Sequence, residues 1–158
     1  MRRFTPIELA LAVSLLGCIL AVAVPTFVRE IHASRFVEPT DGLARLSASA
    51  VAFAHSNSRF PDSAPLTPAV PPRGTKLVDP PGTWDHPTWA ALAFRPTPES
   101  LPHAYAFSFE STGDSFVAQA RGDLDGDGIL STFEVKGTTH PGEAPRIEPG
   151  MYIAAELE

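Results

Sequence analysis

The chain has 158 residues, 44% of them hydrophobic, with 12 Lys and Arg against 18 Asp and Glu and a single cysteine. That length holds one domain with an appendage, and the lone thiol of Cys18 excludes an intrachain disulfide framework. The net charge of −6 argues against a nucleic-acid partner, because phosphate backbones require clustered Lys and Arg. The excess of acid lies late in the chain: residues 57–158 carry seven basic and fourteen acidic groups, whereas residues 1–56 carry five and four. Of the 17 prolines, 14 follow residue 56. An apolar helical start therefore precedes a proline-punctuated remainder.

Residues 9–28 contain no ionisable side chain except Cys18. About 20 such residues at ~1.5 Å each span the roughly 30 Å hydrocarbon core of a bilayer. Three structures produce this run: a secretory signal peptide with Ala21–Pro25 as its cleavage region, a plain signal anchor, or an assembly helix. Arg2 and Arg3 precede the run and favour a cytoplasmic N-terminus, while Arg29 follows it. Glu8 separates the readings. It sits at the entry of the run between Ile7 and Leu9, and a carboxylate entering a bilayer costs several kcal/mol unless it finds a partner. A simple anchor gains nothing from it.

The stretch Phe4-Thr5-Pro6-Ile7-Glu8-Leu9, followed by the apolar run and Pro25, resembles the N-terminal motif of type IV pilins and type II secretion pseudopilins. In that family a short basic leader is removed before a phenylalanine, which becomes the first mature residue and is N-methylated. A glutamate is the fifth mature residue and a helix proline the twenty-second. Counted from Phe4, Glu8 and Pro25 occupy both positions. The resemblance implies that Phe4, Glu8 and Pro25 serve assembly, with the Glu8 carboxylate pairing with the Phe4 α-amino group of a neighbouring subunit. It also implies processing by a prepilin peptidase between Arg3 and Phe4. The family has glycine or another small residue where Arg3 stands, and Met1-Arg2-Arg3 is a short leader. Either the true start lies upstream, or cleavage is unusual or absent. Pro25 removes one helical hydrogen bond and loosens or kinks the helix there.

Beyond Arg29, Leu43, Leu46, Ala50 and Phe53 follow a three-and-four spacing that buries one helix face. Proline within a helix costs ~3 kcal/mol, so Glu38-Pro39-Thr40-Asp41-Gly42 predicts a kink or brief break over 37–42. The helix is expected over 5–56, bent twice. Residues 57–102, with eleven prolines, are expected as a stiff connector holding a short helix over Pro87–Phe94. Trp84 and Trp89 there suit packing better than sugar binding. His86 beside Asp85 suggests no catalytic triad, as no serine nucleophile motif accompanies it.

Alternation then marks strands. Residues 104–110 place Tyr105, Phe107 and Phe109 on one face, Ser111–Asp114 form a turn, and 115–121 and 132–136 supply two further strands. Residues 147–155 form a fourth strand or a tail. The expected fold is α+β: a long, kinked, membrane-spanning N-terminal helix packed on a small antiparallel sheet head, as in pilins. Its divisions are a leader over 1–3, a transmembrane assembly helix over 4–29, its amphipathic half over 30–56, and connector plus head over 57–158. A strand followed by Gly122–Gly128 also resembles myxobacterial-type pilins.

Asp123 to Glu134 matches the twelve-position calcium-loop pattern. Asp123, Asp125 and Asp127 occupy the first, third and fifth positions, Gly128 permits the bend, Ile129 offers its carbonyl, Ser131 stands at the ninth position and Glu134 supplies the closing carboxylate. The flanks are strands, so this is no EF-hand domain. The alternatives are a structural Ca2+ pinning the loop and an acidic turn open to water.

The leading expectation is a structural filament subunit, a type IV pilin or minor pilin. Its partners are other pilin subunits, the inner-membrane pilus or secretion assembly machinery and the prepilin peptidase. A pseudopilin of type II secretion shares the architecture. A membrane-anchored periplasmic binding module belongs to a different class. The expected location is the bacterial inner membrane, with a single pass, cytoplasmic N-terminus and periplasmic head, and then a surface pilus or periplasmic pseudopilus. No nucleophile–base constellation, metal-catalysis cluster or phosphate loop points to an enzyme.

Overall fold

A computed structural model describes residues 5–98 and 101–155, with the backbone alone over 28–35. Two compact units divide the chain, Met1–Phe36 and Val37–Glu158.

Helix α1 spans Pro6–Asn57. It begins where Thr5 supplies a cap and Pro6 a pre-set φ. Its first 22 residues, Pro6–Phe27, are apolar and unburied, long enough at about 33 Å to cross a membrane. In the second unit α1 buries Leu43, Leu46, Ser47, Ala50 and Ala54, the stripe foreseen from the spacing, although Phe53 stays half-buried.

The break expected over 37–42 does not occur, for α1 passes through Pro39 uninterrupted. Tertiary bonds offset the missing helical donor. Pro39 is buried, and Glu38 Oε1 accepts the backbone N–H groups of Ala104 at 2.7 Å and Tyr105 at 2.9 Å. Thr40 Oγ1 donates to Val37 O at 3.2 Å.

Among the described residues the antiparallel sheet has six strands: β1 (Ala64–Thr67), β2 (Tyr105–Ser111), β3 (Ser115–Gly122), β4 (Ser131–Thr138), β5 (Arg146–Ile147) and β6 (Tyr152–Ala154). The order is β1-β2-β3-β4-β5, with β6 also pairing β4. Strands β2 and β3 pair from Tyr105↔Gly122 to Ser111↔Phe116, and β3 and β4 from Ser115↔Thr138 to Gly122↔Ser131. Along β3 burial alternates, with Phe116, Ala118 and Ala120 inward. The coarse expectation of a long apolar helix and an antiparallel sheet holds. Two details differ. Strand β1 lies within the supposed connector, its Pro65 tolerated because β1 is an edge strand. Where a fourth strand or a tail was expected over 147–155, the chain forms two short strands, β5 and β6.

Aromatic rings fill the core. Phe109 stacks on Phe116 with centroids 5.2 Å apart, Phe60 meets Phe116 edge-on at 4.8 Å, and Phe107 meets Phe94 at 5.2 Å. The connector carries helix α2 (Pro87–Ala91), one turn shorter than expected, capped by His86 Nδ1 accepting from Thr88 N at 3.3 Å. Trp89 is buried and donates from Nε1 to Thr67 Oγ1 at 3.0 Å. Trp84 is 7% exposed. Both indoles therefore pack against the head and offer no open platform for a sugar.

Candidate functional site

Two places concentrate the residues singled out by sequence. The first is the start of α1. Thr5 N donates to Glu8 Oε2 at 2.8 Å, Thr5 Oγ1 donates to the same oxygen at 3.0 Å, and Glu8 N donates to Thr5 Oγ1 at 3.3 Å. This is a capping box, in which the first and fourth residues satisfy each other's free backbone donors. Leu9 N then donates to Thr5 O at 3.0 Å, the first helical bond. Glu8 thus has a local task within the chain, capping α1, beyond the membrane partner expected from the sequence. Thr5 is the residue missed, and the signal was legible: a threonine three places before a glutamate, ahead of an apolar run.

Arg3 and Phe4, tied to processing and assembly, lie outside the described residues. Pro25 is exposed within α1. It leaves Ala21 O without a helical donor, and next to it Thr26 Oγ1 donates to Val22 O at 2.8 Å. Such hydroxyl back-bonding accompanies helix bending. Cys18 is exposed on the same apolar segment.

The second place is the loop from β3 to β4. One carboxylate oxygen from each of Asp123, Asp125 and Asp127 lies within 4.8 Å of the others. Asp123 is 1% exposed, accepting Gly126 N at Oδ1 (2.7 Å) and Gly128 N at Oδ2 (3.2 Å). Asp125 Oδ1 accepts Asp127 N at 3.1 Å, and Asp127 Oδ1 accepts Ile129 N at 2.7 Å. Gly126 and Gly128 have φ of +86° and +96°, a region that favours glycine. From the connector, Arg73 Nε approaches Asp123 Oδ2 at 3.8 Å, and Gly74 N donates to Asp123 O at 2.8 Å.

Two of the other expected ligands, Ser131 and Glu134, have their side-chain oxygens engaged elsewhere. Ser131 is fully buried, and its hydroxyl donates to Gly122 O at 3.1 Å. Ile129, expected to offer its carbonyl, has an exposed side chain, and its N–H is held by Asp127 Oδ1. Glu134 lies along β4, where Gln119 Nε2 donates to Oε2 at 2.7 Å and Lys136 Nζ meets Oε1 at 3.1 Å. The hydrogen bond from Gln119, with help from Lys136, holds the Glu134 carboxyl below its ordinary range despite partial burial. A strand register places alternate residues on opposite faces, so β4 directs Glu134 onto the sheet beside Gln119 rather than toward the loop. Three hard oxygen donors remain as a partial shell for a divalent cation; Ca2+ takes about 6 to 8 oxygens.

In comparison with known proteins, no family model, no curated protein and no solved structure matches this chain.

Proposed function

We propose that the chain is a filament subunit of type IV pilin kind, inserted by α1 and polymerising through it, with the sheet unit carried outside the membrane. The observation that supports this most is a carboxylate at the entry of an exposed, 22-residue apolar helix. Glu8 stands at the spacing from Phe4 and Pro25 that the pilin resemblance requires. Capping alone does not call for a charge there, because glutamine serves the capping box as well as glutamate. An ionised group does serve a subunit whose neighbour presents an amine in the same apolar layer, since pairing removes the cost of an isolated charge.

That distinction supplies the experiment. Glu8→Gln keeps the cap and removes the charge, whereas Glu8→Ala removes both. Filament incorporation and membrane insertion are scored separately for each. The reading requires both variants to insert and both to fail to assemble. Normal incorporation of Glu8→Gln would sink it and leave Glu8 as a cap. Mass spectrometry of the mature N-terminus adds an independent check, because a methylated Phe4 is the expected product of prepilin processing.

A pseudopilin of type II secretion uses the same α1 and differs in the machinery it joins. In either case the Asp123–Asp127 loop is read as a structural Ca2+ site that fastens the β3–β4 connection. No part of the proposed role is catalytic.

A further inference from the structure

The strands and α1 give the Val37–Glu158 unit two distinct ends. Glu38, in the first turn of α1 within the unit, accepts the backbone N–H groups of Ala104 and Tyr105, and β2 begins there. Tyr105 pairs with Gly122, and Gly122 pairs with Ser131. The end of β3, the start of β4 and the loop between them therefore lie where α1 enters. The connector follows the same end. Gly74 N donates to Asp123 O at 2.8 Å, Lys76 Nζ pairs with Glu38 Oε2 at 3.4 Å, and Leu77 exchanges two 3.0 Å backbone hydrogen bonds with His103. His103 Nε2 lies 2.7 Å from Asp79 Oδ2, which fixes the turn that follows Val78.

Exposed apolar side chains gather at this end. Val37, Leu77, Val78, Leu101 and Ile129 are each 50–55% exposed. At the other end, closed by residues 57–63, 111–115 and 139–145, no large hydrophobic side chain among the described residues is exposed. Single exposed apolar residues are ordinary on a protein surface, whereas several gathered together mark a contact site. Charge of both signs surrounds them. Arg73 and Lys76 reach Asp123 and Glu38, and Asp41, Asp125 and Asp127 are exposed. Burial of apolar surface, and not net charge, is therefore what this end offers a partner. Chain connectivity identifies that partner. Val37 follows Phe27, the last residue of the apolar span, by ten positions, about 15 Å along a helix. A tether so short keeps lipid at high effective concentration beside this end.

We propose that this end of the unit is a lipid-docking surface: Val37, Leu77, Val78, Leu101 and Ile129 rest against zwitterionic phospholipid in the headgroup layer of the bilayer that holds α1. The inference rests on the insertion of α1 and is independent of polymerisation. Side chains alone reach the boundary between headgroups and acyl chains, and no backbone enters the hydrocarbon, where unpaired N–H and C=O groups are not tolerated. Leu77 N and O are already bonded to His103, so Leu77 brings no free backbone group to the lipid.

The test uses the full chain, one copy per phosphatidylcholine nanodisc, with methyl signals recorded with and without lipid spin-labelled near the top of its acyl chains. Broadening is expected at Leu77, Val78 and Leu101, together with Leu15 and Leu16 in the span, while Ala144 at the opposite end stays sharp. The double variant Leu77→Ser, Val78→Ser changes exposed side chains alone. It should reduce the Leu101 broadening several-fold and leave that of Leu15 and Leu16 in place. Leu101→Ser, read at Leu77 and Val78, is the reciprocal check. Leu101 broadening that is unchanged in the double variant would assign it to the tether and overturn the docking surface. So would broadening that requires anionic lipid, which points to Arg73 and Lys76, or two copies per disc, which points to a second chain. Sharp Leu77, Val78 and Leu101 signals beside broadened Leu15 and Leu16 would remove docking alone. Sharp signals throughout would remove insertion and docking together.

Discussion

Gly42 and Phe107 meet with no room between them: a Cβ placed on Gly42 would lie 2.5 Å from Phe107 Cζ. Phe107 cannot retreat, because it is fully buried and its ring packs edge-on against Phe94. A helical glycine is ordinarily improved by alanine, which is worth about 0.5–1 kcal/mol. Here the sign reverses. Gly42→Ala should destabilise the sheet unit by ~1–3 kcal/mol through overpacking, read as a lower denaturation midpoint of the full chain in micelles.

Ser47 offers the opposite case. Its hydroxyl is buried on the α1 face and has no hydrogen-bond partner among the described residues. Burying an unmade hydrogen bond costs about 1–3 kcal/mol. Ser47→Ala should therefore leave stability unchanged or raise it by roughly 1 kcal/mol, measured in the same unfolding experiment. A clear loss would mean that the hydroxyl has a partner in solution.

Glu134 supplies a pH dependence with a defined sign. Its carboxyl is held low, chiefly by the hydrogen bond from Gln119. The native state thus releases this proton more readily than the unfolded chain. The stabilisation is complete above the unfolded glutamate value and disappears as the pH falls through the lower native one. Gln119→Leu should lower stability near neutral pH, and the gap from the parent protein should close in acid. A gap that stays constant across that range would assign the loss to packing instead.

The Asp123 loop yields a graded set of variants. Asp123 is buried and holds Gly126 N and Gly128 N, so Asp123→Asn should reduce stability with or without calcium. Asp125 and Asp127 are exposed, and Asp125→Asn or Asp127→Asn should remove the calcium response while changing the metal-free protein little. If the loop binds Ca2+, a hundredfold excess over Kd should stabilise the parent protein by about 2.7 kcal/mol. No shift in thermal midpoint at millimolar calcium, relative to chelator, would remove the metal from the account.

The long helix and the three central strands were legible because their periods are plain: an apolar run, a three-and-four stripe, and alternation through Tyr105, Phe107 and Phe109. What was not legible depends on contacts distant in sequence. Pro39 looked like a helix break because propensity is local, whereas the bonds from Glu38 to Ala104 and Tyr105 join residues 66 and 67 positions apart. Strand β1 was hidden because Ala64-Pro65-Leu66-Thr67 has no strand pattern of its own and exists by pairing with β2. The loop carboxylates converge as their spacing suggested, but Glu134 could not be placed without the β3–β4 register that sets it opposite Gln119. Asp79 and His103 lie 24 positions apart, and nothing in the local sequence announces their contact.

The margins of the sheet carry a consequence for crowding. On one side stands β1, four residues long and containing Pro65. On the other, β4 is covered in two pieces, by β5 at Gly137 and Thr138 and by β6 at Thr132–Glu134. Neither border therefore presents a long unbroken row of free N–H and C=O groups, the template on which strands from separate molecules zip together. Heads held side by side at high local concentration would meet through side chains rather than by exchanging strands. Were such units to assemble, they would separate again without first unpicking a shared sheet.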